Sequence, residues 1–330
     1  MNVLLVMPNY FDYPQIISNG LKDLGYEVDY INDRPSSNSF IKAIIRVKKE
    51  VIGIYVNKYF KRVMSNVRTK KYNYVILILG QSLSFSESMI SEIRKSQKNA
   101  KFIIYQWDSI NNLEKSTSYY KYFDKHYTFD RLDSKENNQL EFLPLFYSPK
   151  YENIGKKNIN KFKYDFSFVG TAHPKKYKFI KKMSDQLKKV YPDQFIYYFL
   201  PSRIVYLYRK LKNPEFKDAT YSEFHFKPLS GENMNEVITN SKCILDTAQS
   251  GQVGLPIRVI EALGANKKLI TTNPDIVNYD FYRKENIYVY NGKNFNLNDV
   301  FFKSDYVNVD QRIYESYSLR NWLKKILGVN

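Results

Sequence analysis

The stretch from Cys243 to Asn273, CILDTAQSGQVGLPIRVIEALGANKKLITTN, gathers the residue types best suited to hold a phosphate-bearing ligand. A strand expected over 243–245 ends near Asp246 and runs into a glycine-containing loop, Ser250-Gly251-Gln252-Val253-Gly254. Pro256 suits the first turn of a following helix, while Gly264 and Asn266 suit its end. The first amides of a helix have no partner within it and stand at the positive end of its dipole, so they favour an anion. Arg258 and Glu261 lie three apart, on one helical face. One reading gives Arg258 a diphosphate and Glu261 the hydroxyls of a ribose. The other pairs the two side chains with each other as a solvated ion pair.

The elements that must position this loop follow from hydrophobic patterning. Over residues 1–150, short apolar runs alternate with longer amphipathic stretches, the pattern of a parallel sheet covered by helices. Strands are expected at 3–7, 28–31, 74–79, 102–105, 126–129 and 142–146, with helices at 13–24, within 40–68 and at 86–96. Runs such as YVILIL and KFIIYQW are apolar throughout, as buried parallel strands require. Residues 151–163 carry Gly, Asn and Lys without an apolar period and read as a linker. The alternation then restarts over 164–310, with strands at 165–169, 194–199, 224–226, 243–245 and 268–271 and helices at 177–190, 232–239 and 256–264. An amphipathic helix over 311–330 closes the chain. The pattern predicts an α/β protein of two Rossmann-like doubly wound domains separated by a cleft, with ligands outside the carboxyl ends of the strands.

Composition narrows the classes. The chain has 330 residues, and two domains of about 150 residues fit the usual size range. One cysteine, Cys243, excludes an internal disulfide and a cysteine zinc site. No apolar run approaches the roughly 20 residues of a spanning helix, and the N-terminus lacks the basic lead of a signal peptide. These features predict a cytoplasmic protein. Fifty-one Lys and Arg against 33 Asp and Glu give a net charge of +18, a field that attracts nucleic acid, anionic lipid or phosphorylated small molecules. Residues 42–71 hold ten of those basic residues and one Glu, interleaved with Ile44, Ile45, Val47, Phe60 and Val63. That pattern suits an anionic membrane surface, at the inner face for a cytoplasmic protein, and equally a core-facing helix with a solvated basic side.

The pattern Gly254-Leu255, Arg258, Glu261-Ala262-Leu263-Gly264 and Lys267-Lys268-Leu269-Ile270-Thr271-Thr272-Asn273 resembles the donor-binding signature of GT-B glycosyltransferases. The likeness is strongest to the subgroup related to spore-maturation and capsule-type enzymes. In that family, a glycine-rich loop that here includes Gly251, Gln252, Gly254 and Leu255 leads into a helix bearing the ribose-binding Glu. Many members carry a second Glu seven or eight residues earlier, where this chain has Gly254 and Val253, a departure that bears on a retaining mechanism. YDFSFVGTAHPKKYKFI (164–180) resembles the first strand, loop and helix of the donor domain. There Gly170 and Thr171 would let the backbone approach phosphates, and His173, Lys175 and Lys176 would supply positive charge. Lys227, Pro228 and Leu229 resemble the loop that holds the nucleotide base.

The resemblance implies transfer of a sugar from a nucleotide-sugar donor, UDP favoured and GDP possible, to a surface-glycan or lipid-linked acceptor, with no nucleic-acid partner. The first domain would bind the acceptor through strand-end residues: Asn9, Tyr10 and Asp12; Gly80, Gln81 and Ser82; Trp107, Asp108 and Ser109. A carboxylate there could serve as general base, Asp108 first and Asp12 second. Either could instead cap a helix. No metal-ligand signature stands in the sequence, so no metal or other cofactor is expected. A charged leaving diphosphate would be neutralised by helix dipole, Arg and Lys. A sugar-nucleotide epimerase of the same fold is the alternative reaction, and three histidines in all make it less attractive. A sialyltransferase-like or ketosugar transferase, suggested by His173-Pro174, lacks its acidic companion motif. A non-catalytic basic module for nucleic acid or membrane is the remaining alternative.

Overall fold

Two successive runs of strand and helix build two parallel sheets. The computed structural model describes residues 1–34, 49–80, 83–112, 116–157, 159, 161–248 and 253–329. The chain divides into a first unit, Met1–Leu145 with Leu319–Asn330, and a second, Phe146–Ser318.

In the first unit the elements are β1 (Asn2–Val6), α1 (Tyr13–Asp23), β2 (Glu27–Ile31), α2 (Lys49–Val67), β3 (Tyr74–Leu79), α3 (Glu87–Ser96), β4 (Lys101–Gln106), β5 (Lys125–Thr128), α4 (Arg131–Glu136) and β6 (Glu141–Phe142). The strands pair in parallel in the order β2-β1-β3-β4-β5-β6. Every residue of β3 and β4 after the first is buried, which is why these strands are apolar on both faces. One face, with Leu4, Val6, Leu77, Phe102 and Ile104, packs with Phe60 and Val63 of α2 and Ile90 of α3. The basic stretch expected to meet either lipid or core thus turns Val56, Phe60, Val63 and Val67 inward. Its first part, residues 42–48, lies outside the described residues.

The second unit contains α5 (Pro149–Gly155), β7 (Tyr164–Thr171), α6 (Pro174–Leu187), β8 (Gln194–Phe199), α7 (Arg203–Lys212), β9 (Phe224–His225), α8 (Gly231–Thr239), β10 (Ser241–Leu245), α9 (Ile257–Gly264), β11 (Lys268–Thr271), β12 (Ile287–Val289), α10 (Val300–Lys303) and α11 (Gln311–Ser316). Its parallel sheet runs β12-β11-β10-β7-β8-β9. The chain builds outward from β7 through β8 to β9, then returns to the other side of β7 for β10, β11 and β12. The reversal makes β7 and β10 neighbours, and their carboxyl ends flank a topological switch point, where open α/β sheets place ligands.

Two boundaries differ from expectation. The segment expected as a linker over 151–163 begins within a helix. Pro149–Gly155 is a helix whose Tyr151 and Ile154 are buried, and it abuts α9. A side chain at Gly155 would bring its Cβ to 2.5 Å from the Gly264 carbonyl oxygen, and Asn266 Nδ2 donates to the Gly155 carbonyl at 3.1 Å. The expected single helix over 311–330 is two. After α11, Tyr317 bonds Asp280 Oδ1 at 2.6 Å and its carbonyl accepts the Tyr147 amide at 2.9 Å, and the chain then re-enters the first unit as α12 (Leu319–Leu327). There Trp322 meets Tyr105 edge to face at 4.9 Å, and Leu323, Ile326 and Leu327 are buried. Each such burial is worth about 2 kcal/mol. Among the described residues no helix is long and apolar enough to cross a membrane.

Candidate functional site

At the switch point of the second sheet, β10 ends in Asp246 and Thr247, which are 3% and 2% exposed. Burial without full compensation is costly for a carboxylate. Asp246 Oδ2 and Thr247 Oγ1 have no hydrogen-bond partner among the described residues. Desolvation pushes the Asp246 carboxyl above its usual range, and the positive charges of Lys176 and Arg258 oppose that rise. Two cations from different helices, α6 and α9, therefore bear on one point at the end of β10.

The loop beyond is pinned at both flanks by the return strand. Thr272 Oγ1 accepts the Ala248 amide at 2.9 Å, and Asn273 Nδ2 donates to the Val253 carbonyl at 2.9 Å. Asn273 also caps the following turn by accepting the Asp275 amide at 3.0 Å. This is what the Thr-Thr-Asn triplet does. It fixes where the loop leaves β10 and where it reaches α9. Gly251 and Gln252 lie outside the described residues; Gly254 and Leu255 are buried beside Pro256, which directly precedes α9.

Arg258 and Glu261 stand on one face of α9 with Nε and Oε2 3.6 Å apart, and Arg258 Nη1 lies 3.5 Å from the Met234 sulfur. A solvated ion pair would leave both groups in water. Glu261 is instead 5% exposed, so its carboxylate is held inside the protein beside a cation. Buried acids are rare unless paired. The rest of the motif is structural. The helix leaves through Asn266 in the left-handed region at φ 51°, whereas a Cβ on Gly264 would meet the Tyr147 ring at 2.4 Å. Lys267 and Lys268 are buried and donate to the Thr239 carbonyl at 2.8 Å and the Phe301 carbonyl at 2.6 Å. Desolvation brings the Lys267 ammonium down to about 8.

Gly170 and Thr171 close β7 at the same switch point, but the reason for the glycine is internal: a Cβ there would lie 2.8 Å from the Phe168 ring. His173 is the N-cap residue of α6. Desolvation, with the charges of Arg209 and Lys176, holds its imidazole below the usual value, so near neutral pH it supplies no positive charge. Lys175 is exposed, and Lys176 is half-buried toward Asp246. Lys227, Pro228 and Leu229 follow the edge strand β9, where the Lys227 carbonyl accepts the Tyr197 hydroxyl at 2.8 Å. The residues that join the site without having been singled out from sequence are Asp246 and Thr247.

In the first unit the switch point falls between β1 and β3. A Cβ on Gly80 would sit 2.2 Å from the Tyr10 hydroxyl, so the glycine is where the tyrosine ring lies; Gln81 and Ser82 are outside the described residues. Asn9 is exposed, Trp107 half-buried with Tyr13 edge-on at 5.2 Å, and Phe11 holds a positive φ of 45° with its side chain in solvent. Asp12 is exposed at the N-cap of α1 and makes no side-chain cap bond. Asp108 is buried and occupied. Its Oδ1 accepts the Ser109 amide at 2.9 Å and Asn112 Nδ2 at 2.8 Å. Nearby, Asp130 accepts the Ser109 hydroxyl at 2.5 Å and the Leu132 amide at 2.9 Å, and Asp133 accepts the Ile110 amide at 2.9 Å. Burial, reinforced by the neighbouring Asp130, Glu136 and Asp108 charges, pushes the Asp133 carboxyl up to about 6.

No family model matches the chain, and no curated protein matches it by sequence. Solved structures do match its fold. It is similar to Anabaena Alr3699/HepE, solved in complex with UDP-glucose, at a TM-score of 0.63 and 9% identity, covering 99% of this chain and 98% of that one. A glycosyltransferase from Rickettsia africae matches at a TM-score of 0.60 and 12% identity, over 99% of this chain and 97% of that one. UDP-GlcNAc 2-epimerase from Methanocaldococcus jannaschii matches at 0.56 and 11%, over 99% of both chains. The architecture is the GT-B fold.

Proposed function

We propose that this protein is a glycosyltransferase that takes its sugar from a nucleotide donor held at the carboxyl end of the second sheet. The observation that carries the reading is Glu261, a carboxylate 5% exposed, beside Arg258 in the first turns of α9. An anion at that helix start meets the positive end of the helix dipole, while Arg258 and Lys176 add charge. Glu261 then accepts hydrogen bonds from ribose hydroxyls. A UDP-sugar is favoured, because the structural neighbours include proteins solved with UDP and UDP-glucose. Departure of the diphosphate is assisted by these cations without a metal. The acceptor, a surface glycan or a lipid-linked sugar, is assigned to the carboxyl end of the first sheet, beside Asn9, Tyr10 and Trp107.

Calorimetric titration with UDP, GDP, CMP and dTDP tests the donor assignment. UDP is expected to bind, and to bind equally with EDTA present. Absence of binding to every nucleotide removes the proposal. The likeness to an epimerase supports a second reading, isomerisation of the donor sugar. Incubating UDP-sugars with the protein alone separates the two. A new UDP-sugar formed without acceptor favours epimerisation, and transfer only with acceptor favours the transferase.

A further inference from the structure

Helix α7, between β8 and β9, is attached to the second unit by one side only. Ser202 caps it by accepting the Val205 amide at 3.3 Å, Tyr206 is buried, and the Arg209 guanidinium donates to the Ala172 carbonyl. The opposite side carries Ile204, Leu207, Tyr208 and Leu211, which are 77%, 58%, 63% and 82% exposed. Their spacing of three, one and three residues puts them on a single stripe about 100° wide. Scattered apolar residues on a surface are ordinary; four large ones in register along one helix form a contiguous patch, and such patches mark interaction sites.

The charges around the stripe say what kind of surface it meets. From Pro201 to Pro214, the sequence PSRIVYLYRKLKNP contains four basic residues and no acid. Arg203 and Lys212 are exposed and fall on the two borders of the stripe, while Lys210 is turned back onto the Lys217 and Ala219 carbonyls. Beside Arg203 lies the half-exposed Tyr221, its ring centroid 6.0 Å from the guanidinium. Apolar side chains along the centre, cations on both borders and tyrosines between them form the pattern of a helix that lies in a lipid headgroup layer. Pairing two copies through this helix would bring the bordering cations Arg203 and Lys212 of one copy against the same two of the other. The net charge of +18 acts in the same direction, toward an anionic surface.

The geometry points to α7 as a membrane-docking helix that lies flat on an anionic phospholipid surface, with Ile204, Leu207, Tyr208 and Leu211 in the acyl boundary and Arg203 and Lys212 at the lipid phosphates. This surface is separate from the basic side of α2. It is carried by the unit that holds the candidate donor site, and Arg209 ties it to Ala172, beside His173.

The test is vesicle co-sedimentation of the full chain, comparing phosphatidylcholine with vesicles that contain about 30 mol % phosphatidylglycerol. Wild type is expected to pellet with the anionic vesicles and not with the neutral ones. Leu207→Glu/Leu211→Glu is expected to lower partitioning about 20-fold or more, since two apolar anchors are replaced by charges that repel the surface. Because both positions are exposed, the variant should keep the wild-type melting temperature and UDP affinity. Tyr208→Trp gives an independent readout, a blue shift of its fluorescence on adding anionic vesicles. The assignment is overturned if the double variant pellets as wild type does, if wild type ignores anionic vesicles, or if Tyr208→Trp shows no shift. It is equally overturned if Lys58→Glu/Lys61→Glu on α2 abolishes binding while the α7 variant does not, or if the α7 variant turns a dimer into a monomer by light scattering.

Discussion

The carboxyl ends of the two sheets are built on the same parallel plan and differ in charge: acids gather at the first, acids with cations at the second. At the end of β4 and β5, three carboxylates, Asp108, Asp130 and Asp133, each accept at least one hydrogen bond from the amides or hydroxyl of their own loops. At the end of β7 and β10, one buried carboxylate faces Lys176 and Arg258 and keeps an oxygen without a partner among the described residues. The first set of acids holds the chain of its own loops. The second gathers two cations around buried carboxylates. A strand-end acid that accepts bonds from its own loop has an ordinary capping role, which is the alternative to chemistry at Asp108, and the Arg258–Glu261 region is the proposed donor site.

The sharpest way to break this contrast is to strike the second sheet. Arg258→Ala and Glu261→Ala should each weaken UDP binding by about 10- to 100-fold, the loss of one or two charge-assisted hydrogen bonds. Wild-type affinity by calorimetry in both variants would dissolve the assignment. Next comes Asp108→Ala, expected to cost roughly 1–2 kcal/mol of stability in urea unfolding through loss of a loop cap, with UDP affinity unchanged. A variant of full stability whose transferase activity has vanished would show that the carboxylate is the base after all. Thr272→Val unties one flank of the loop. It should weaken UDP about 5-fold and cost about 1 kcal/mol of stability. Unchanged affinity would mean that loop position does not matter.

The smallest effect is a pH dependence. Asp133 titrates near 6 in the folded chain and lower when unfolded, so over that window the folded state binds more protons. Its contribution thus penalises the fold above pH 6, and the penalty fades as pH falls toward 4. Asp133→Asn should gain on the order of 1 kcal/mol at pH 7 and nothing near pH 4. A gain that is equal at both pH values would rule out the ionised carboxylate as its source.

Much of this architecture could be read from residues alone. The apolar runs of β3 and β4 announced buried parallel strands, and Pro256 and Asn266 marked both ends of α9. What escaped the reading was tertiary. Nothing local distinguishes Gly170, which looks free to admit a phosphate, from a glycine that makes room for Phe168. Lys267 and Lys268 look like surface charge and are buried carbonyl donors. Helix α7 has apolar residues on all sides, since Val205 and Tyr206 interleave the exposed stripe, so no face stood out from sequence. Only two apolar residues of α5 are buried, too few to set up a period. The break at Tyr317 has neither Gly nor Pro; it is made by Asp280 and Tyr147, distant in sequence.

That break has a consequence for biosynthesis. Trp322, Leu323, Ile326 and Leu327 fill the first unit's core from beyond the second unit in the sequence, and Leu319 and Leu323 lie where a side chain on Gly20 would go. Domains ordinarily mature on the ribosome in the order of their synthesis. Here the earlier-made unit waits for α12, which is translated after the whole of the second unit, so the later-made unit is the first to be complete. Until then the nascent first unit exposes the apolar groove that α12 will fill.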